Sequence, residues 1–145
     1  MTKPVTLAVI GAGARGYGYA KFAKSFPDRL KIVAVADPND FCRNRMAGEH
    51  NIPAGKCFRT WQEFCAQPKM CDAVAICTQD SMHEAPAVAC AKLKYNILLE
   101  KPMAPTAEAC RKNHPPRFNH SSSHHNAHCA RFRYSLRRTL RHRQS

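Results

Sequence analysis

From Lys3 to Lys112 short apolar runs alternate with amphipathic stretches, which is how parallel strands buried on both faces and their crossover helices read. Val5 to Ile10 is the first such run, followed by a helix over Gly16 to Ser25 with Tyr19, Ala20, Phe22 and Ala23 at helical spacing, ended by Pro27. Lys31 to Asp37 is too rich in Val and Ile for a helix this short and predicts a second strand. A helix over Asn39 to His50 and a brief edge strand over Lys56 to Arg59 come next. Thr60 with Glu63 forms a capping box for a helix over Trp61 to Ala66.

Asp72 to Cys77 is a buried strand, and Ser81 to Lys94 a long helix with Pro86 in its first turn. Asn96 to Glu100 is the fifth strand, and Thr106 caps a helix that begins at Ala107. The expected fold class is α/β: a doubly wound parallel sheet of the dinucleotide-binding kind, incomplete at its sixth strand.

The chemistry starts where the first strand ends, at Gly11-Ala12-Gly13-Ala14-Arg15-Gly16. A G-x-G-x-x-G is weak evidence until strand, helix and acid stand in register with it. Gly11 serves the tight turn, Gly13 lets bare backbone approach a pyrophosphate, and Gly16 lets the helix pack closely on the strand. The helix N-terminus offers unpaired N–H groups and a partial positive charge to the anion. Asp37, 21 residues past Gly16, ends the second strand where a carboxylate accepts the ribose hydroxyls. The bland alternative is a glycine-rich turn with Asp37 merely capping the segment after it. Asp37 argues for NAD because it repels a 2′-phosphate, whereas Arg43 and Arg45 leave NADP open unless they are simply solvated helix charges.

A second constellation stands after strands four and five: Cys77-Thr78-Gln79-Asp80-Ser81-Met82-His83 and Glu100-Lys101-Pro102. With these, the chain over residues 5 to about 111 resembles the Gfo/Idh/MocA family of NAD(P)-dependent oxidoreductases, named for glucose-fructose oxidoreductase and inositol dehydrogenase. Three elements carry the resemblance: the G-x-G-x-R-G opening, the element ending in His83, and the Glu-Lys-Pro. It implies a two-domain dehydrogenase acting on the CH–OH group of a sugar, polyol or related compound. Gly11, Gly13, Arg15, Gly16, Asp37, Thr78, His83, Glu100 and Lys101 would then hold the cofactor. Lys101 would also be the catalytic lysine that bonds the substrate's reacting oxygen and moves a proton. Against the family pattern, Gln79 and Asp80 replace Pro and Asn, and Lys94 replaces a turn glycine, which predicts a strained cap. A completed sixth strand and a substrate domain are absent from these 145 residues, so turnover by this chain alone is not expected; substrate chemistry needs a second domain to be supplied.

Composition divides the chain into residues 1–112, the dinucleotide-binding domain, and residues 113–145, a basic tail. The tail holds seven Arg, six of the eight His, no Lys and no acid, and its few apolar residues predict disorder. Three origins compete for it: a departure from the ancestral reading frame, a metal site on His120, His124, His125, His128 and Cys129, and a polyanion-binding segment over Arg131 to Arg143. The first is preferred, and no metal is assigned. The competing function is therefore a non-enzymatic interaction protein whose tail contacts polyanions through counterion release. Eight cysteines without any Cys-x-x-Cys read as buried free thiols. Nothing approaches a bilayer-spanning run or a signal peptide, so the expectation is a cytoplasmic protein with a dinucleotide partner, no membrane contact and no specific nucleic acid.

Overall fold

A computed structural model describes residues 3–100, the side chain of Asp80 excepted. Five parallel strands form one sheet: β1 (Val5–Ile10), β2 (Leu30–Ala36), β3 (Cys57–Phe58), β4 (Ala73–Ile76) and β5 (Asn96–Leu99). Their order is β3-β2-β1-β4-β5, so the chain winds outward from β1 to β3, returns, and continues on the other side of β1. Helices α1 (Ala14–Ser25) and α2 (Asp40–His50) cover one face, and α3 (Trp61–Cys65) and α4 (Glu84–Lys92) the other. The expected doubly wound sheet is present. The expected Thr106 helix, the sixth-strand edge and the basic tail lie outside the described residues.

Each strand contributes side chains to the core on both faces, and the polar residues within the strands are Thr6, Lys31 and Asn96. Val5, Leu7 and Val9 of β1 point to the α1/α2 side, while Ala8 and Ile10 point to the α3/α4 side. β2 does not keep that alternation. Its register against β1 jumps between Leu7 and Ala8, so that Ile32 pairs with Leu7 but Ala34 with Ala8. The extra residue, Val33, switches the phase of the strand: Leu30, Ile32 and Val35 all reach the α1/α2 core. On the opposite face Phe64 is fully buried, edge-on to Phe58 at 5.7 Å and tilted against Tyr95 at 5.6 Å. Burying a ring of that size contributes about 2–3 kcal/mol.

Two helices differ from expectation, and each difference has a local cause. α1 starts at Ala14, two residues before the expected Gly16, because Gly13 in extended geometry is already its N-cap. The single helix expected over Ser81 to Lys94 is instead a 3-10 turn (Asp80–Met82) followed by α4. Pro86 has no N–H, and its ring opposes the carbonyl four residues back, so an α-helix can begin no more than one turn before it. The Met82 carbonyl accepts the Thr78 hydroxyl at 3.2 Å. The Thr60 cap is as expected, with its hydroxyl accepting from the Glu63 N–H at 3.2 Å, but Glu63 returns to the N–H of Arg59 rather than Thr60, at 2.9 Å.

Lys94 closes α4 in the left-handed region, φ 59°. Its N–H reaches the Ala91 carbonyl and that of Tyr95 reaches Cys90, the pairing of a Schellman C-cap, in which position C′ favours glycine. The strain anticipated there is present. Lys94→Gly is expected to stabilise the protein by about 1 kcal/mol, the left-handed penalty less the added chain entropy of glycine, and to raise the thermal midpoint by a few degrees in calorimetry.

The six described cysteines, Cys42, Cys57, Cys65, Cys71, Cys77 and Cys90, are all free, as read from their spacing. Burial pushes Cys71 up to about 11 and Cys77 to about 12, and raises Cys90 further, so these are packing groups rather than nucleophiles. No described helix is long and apolar enough to cross a membrane.

Candidate dinucleotide site

Where a doubly wound sheet reverses direction, the loops after two adjacent strands diverge and leave a crevice at the carboxyl ends. Here the reversal lies between β1 and β4. The loop after β1 carries Gly11 to Arg15, the loop after β4 carries Cys77 and Thr78, and Glu100 stands directly after β5.

The three glycines of the turn do three different things. Gly11 has φ +90°, and a Cβ there would lie 2.6 Å from the Cys77 carbonyl oxygen, so the chain crosses β4 only without a side chain. A Cβ on Gly16 would lie 2.0 Å from the Gly11 carbonyl oxygen and 2.9 Å from Val9 Cγ1, which makes Gly16 the contact that seats α1 on β1. A Cβ on Gly13 would meet nothing within 4 Å. Gly13 therefore borders open space while acting as N-cap of α1, with no side-chain cap and no acid in the first turn. Among the described residues no side chain caps the first N–H groups of α1, so the positive end of the helix dipole faces that open space.

Asp37 sits directly beside this turn. It is 9 % exposed; Oδ2 accepts from the Ala12 N–H at 2.6 Å and Oδ1 from the Asn39 N–H at 2.7 Å. Each carboxylate oxygen keeps a second lone pair, so the acid can anchor the glycine turn and still accept from a diol.

Arg43 is not the solvated helix charge that its sequence position suggests. It is buried; Nη1 donates to the Asp37 carbonyl at 2.7 Å, and Nη2 pairs with Asp40. That hydrogen bond and charge hold the Asp40 carboxyl below its ordinary value. Arg45 stacks over the Tyr17 ring at 4.0 Å and faces Phe41 at 5.6 Å. Arg43 thus has its fork committed to protein acceptors, which disfavours its recruitment by a 2′-phosphate.

At the other end of the crevice, Glu100 accepts the Tyr19 hydroxyl on Oε1, and its Oε2 lies 4.0 Å from Arg15 Nε. Glu100 is largely sheltered and Arg15 largely exposed. Both act on Cys77: its thiol is pushed up first by burial and then by the Glu100 charge, with Arg15 opposing. His83 is 1 % exposed, and its Nε2–H donates to the Thr78 carbonyl at 2.8 Å, which fixes the tautomer and closes the 78–83 turn. The structure therefore gathers Gly11, Gly13, Arg15, Gly16, Asp37, Thr78, His83 and Glu100 around one end of the sheet. Lys101 lies outside the described residues.

Sequence reading misses two contributors and the role of a third. Ala12 supplies the N–H that Asp37 grips, Tyr19 holds Glu100, and Arg43, read as a phosphate partner or a solvated charge, donates to the Asp37 carbonyl. Periodicity puts Tyr19 on a helix face, but its partner is 81 residues away. No local pattern signals such a pair. Among the described residues no group of His, Cys, Asp and Glu has the arrangement of a metal site.

Fold and site together define a dinucleotide-binding Rossmann domain. The chain belongs to the Gfo/Idh/MocA oxidoreductases: the family model described as an oxidoreductase family with an NAD-binding Rossmann fold matches residues 5–114. It is 29% identical over 106 residues to an inositol 2-dehydrogenase of Saccharopolyspora erythraea, covering 73% of this chain and 30% of that one. It is 28% identical over 107 residues to a 2,7-anhydro-N-acetylneuraminate hydratase of Escherichia coli, covering 73% and 27%. The myo-inositol dehydrogenase of Lactobacillus casei, solved with NAD(H) and myo-inositol, superposes with a TM-score of 0.67 at 24% identity, over 76% of this chain and 32% of that one. The chain thus spans about a third of the length of the proteins it matches.

Proposed function

We propose that this chain holds the nicotinamide dinucleotide for an oxidoreductase acting on the CH–OH group of a sugar or polyol. The observation that carries the reading is the open space at Gly13 beside a turn anchored by Asp37. The residues present fit the cofactor: bare backbone and an uncapped helix end for its pyrophosphate, and a carboxylate with free lone pairs for its adenosine ribose. Bound there, the nicotinamide would supply a hydride acceptor.

Asp37 orients the ribose and repels a 2′-phosphate, which favours NAD over NADP. Gly11 and Gly16 keep the turn close to the sheet. Thr78, His83 and Glu100 shape the wall at the β4/β5 end. Lys101, next in sequence to Glu100, is assigned the proton held at the substrate's reacting oxygen, by its place in the Glu-Lys-Pro motif. The inositol dehydrogenases among its relatives support a polyol substrate, while the hydratase shows that relatives of this domain serve more than one net reaction.

Titration of the purified chain with NADH, followed by nicotinamide fluorescence, is expected to show saturable binding. NADPH is expected to bind more weakly by about tenfold, and Asp37→Arg to abolish the NADH signal. No saturable NADH binding, or a preference for NADPH, overturns the reading.

A further inference from the structure

Arg15 stands in the first turn of α1, two residues after Gly13, with its side chain 74% exposed. Its ion pair among the described residues is to Glu100, with Nε 4.0 Å from Oε2, and a pair so exposed and so long is weak. Glu100 is the better held of the two: its side chain is 12% exposed, and the Tyr19 hydroxyl pins the other oxygen. One member is thus fixed to the core and the other is free to turn about its rotamers. Arg15 lies in the first turn of the helix that Gly13 caps, Glu100 directly follows β5, and both lie close enough to Cys77 to act on its thiol with opposite sign.

We propose, resting on the dinucleotide reading above, that Arg15 and Glu100 form an exchange latch. A pyrophosphate entering beside Gly13 takes the Arg15 guanidinium away from Glu100, and Glu100 stays on Tyr19 and takes the arginine back when the nucleotide leaves. The pyrophosphate offers Arg15 several charged acceptor oxygens for its planar fork, against one distant carboxylate oxygen in the free protein. The arriving anion also meets the Glu100 charge, so Glu100 opposes binding in two ways: it competes for the arginine and it repels the phosphates. Arg15 is then an affinity-setting residue, and Glu100, which the family resemblance makes a cofactor-holding group, acts at the pyrophosphate end in the opposite sense and keeps the nucleotide exchangeable.

Removing the Glu100 charge therefore strengthens binding, the opposite of what removing a ligand-holding group does. Affinities of the full 145-residue chain for ADP, which carries the adenosine and the pyrophosphate without the nicotinamide, are to be measured by calorimetry, with adenosine as the reference ligand. Glu100→Gln is expected to tighten ADP about threefold, because the glutamine keeps the Tyr19 bond and loses the charge. Arg15→Met is expected to weaken ADP about tenfold, with Arg15→Lys recovering part of the loss. In the double variant the Glu100→Gln gain shrinks, since there is no arginine left to release. Adenosine affinity stays unchanged throughout, and the thermal midpoint of Arg15→Met stays near wild type, because the side chain is exposed. Unchanged or weaker ADP binding in Glu100→Gln overturns the latch, as does unchanged ADP binding in Arg15→Met. If wild type binds neither ADP nor NADH, the dinucleotide reading itself falls and takes the latch with it; wild-type binding with unresponsive variants removes the latch alone.

Discussion

Gly13→Asp is expected to abolish NADH binding and leave the fold intact. The open space at Gly13 accepts a new side chain without collision, and the backbone there, φ −67° and ψ −164°, suits any residue. An aspartate at an N-cap is moreover better than a glycine, so the free protein gains a few tenths of a kcal/mol. The same carboxylate stands where the pyrophosphate would rest. Two like charges about 4 Å apart near a protein surface cost on the order of 4 kcal/mol, which is an affinity loss of several hundredfold. Opposite signs on stability and binding are the mark of a functional opening rather than a packing gap. A thermal scan together with an NADH fluorescence titration reads both, and a variant that still binds within tenfold of wild type would refute the placement of the anion.

Gly16→Ala is expected to do the reverse, damaging the fold before any ligand is added. One methyl group at this position would sit 2.0 Å from the Gly11 carbonyl oxygen, and backbone cannot rotate away as a flexible side chain could. Relief requires lifting α1 off β1, which disturbs the packing of Ala20 and Ala23 in the core beneath it. The cost is about 3 kcal/mol, with a fall of roughly 10 °C or more in the midpoint. Far-UV circular dichroism during heating measures it; a midpoint within about two degrees of wild type would show that the helix seat is looser than this contact requires. Together the two variants separate what the motif's glycines share in sequence and not in role.

Much of this architecture is legible from residue patterns because it depends on local rules. The strand over Val5–Ile10 ends where expected, and the others fall within a residue or two, since buried parallel strands leave a predominantly apolar run. Asn39 caps α2, accepting the Cys42 N–H, as a short polar side chain before a helix does. The same rules are silent where two elements meet. The run from Lys31 to Asp37 reads as a plain strand, yet β2 carries a register shift that only its pairing with β1 reveals. The polar residue within β2, Lys31, lies before the shift, so no polar position beyond it betrays the change of phase.

The candidate site divides along the same line. Gly11, Gly13, Gly16 and Asp37 can be named in advance because a pyrophosphate turn imposes their spacing on the chain itself. Arg43 cannot be placed: on a helical wheel it is one more charge, and its burial against the Asp37 carbonyl depends on how α2 lies over the end of β2. Likewise Tyr19 and Glu100 are 81 residues apart, and only the order of strands brings them together. The linear pattern of apolar runs and glycines thus settled the fold class and the place of the nucleotide turn, because backbone conformation and burial are decided within a few residues. Which side chains brace Asp37, which one holds Glu100, and which glycine faces open space were settled by packing, because those contacts exist only once distant strands and helices share a core.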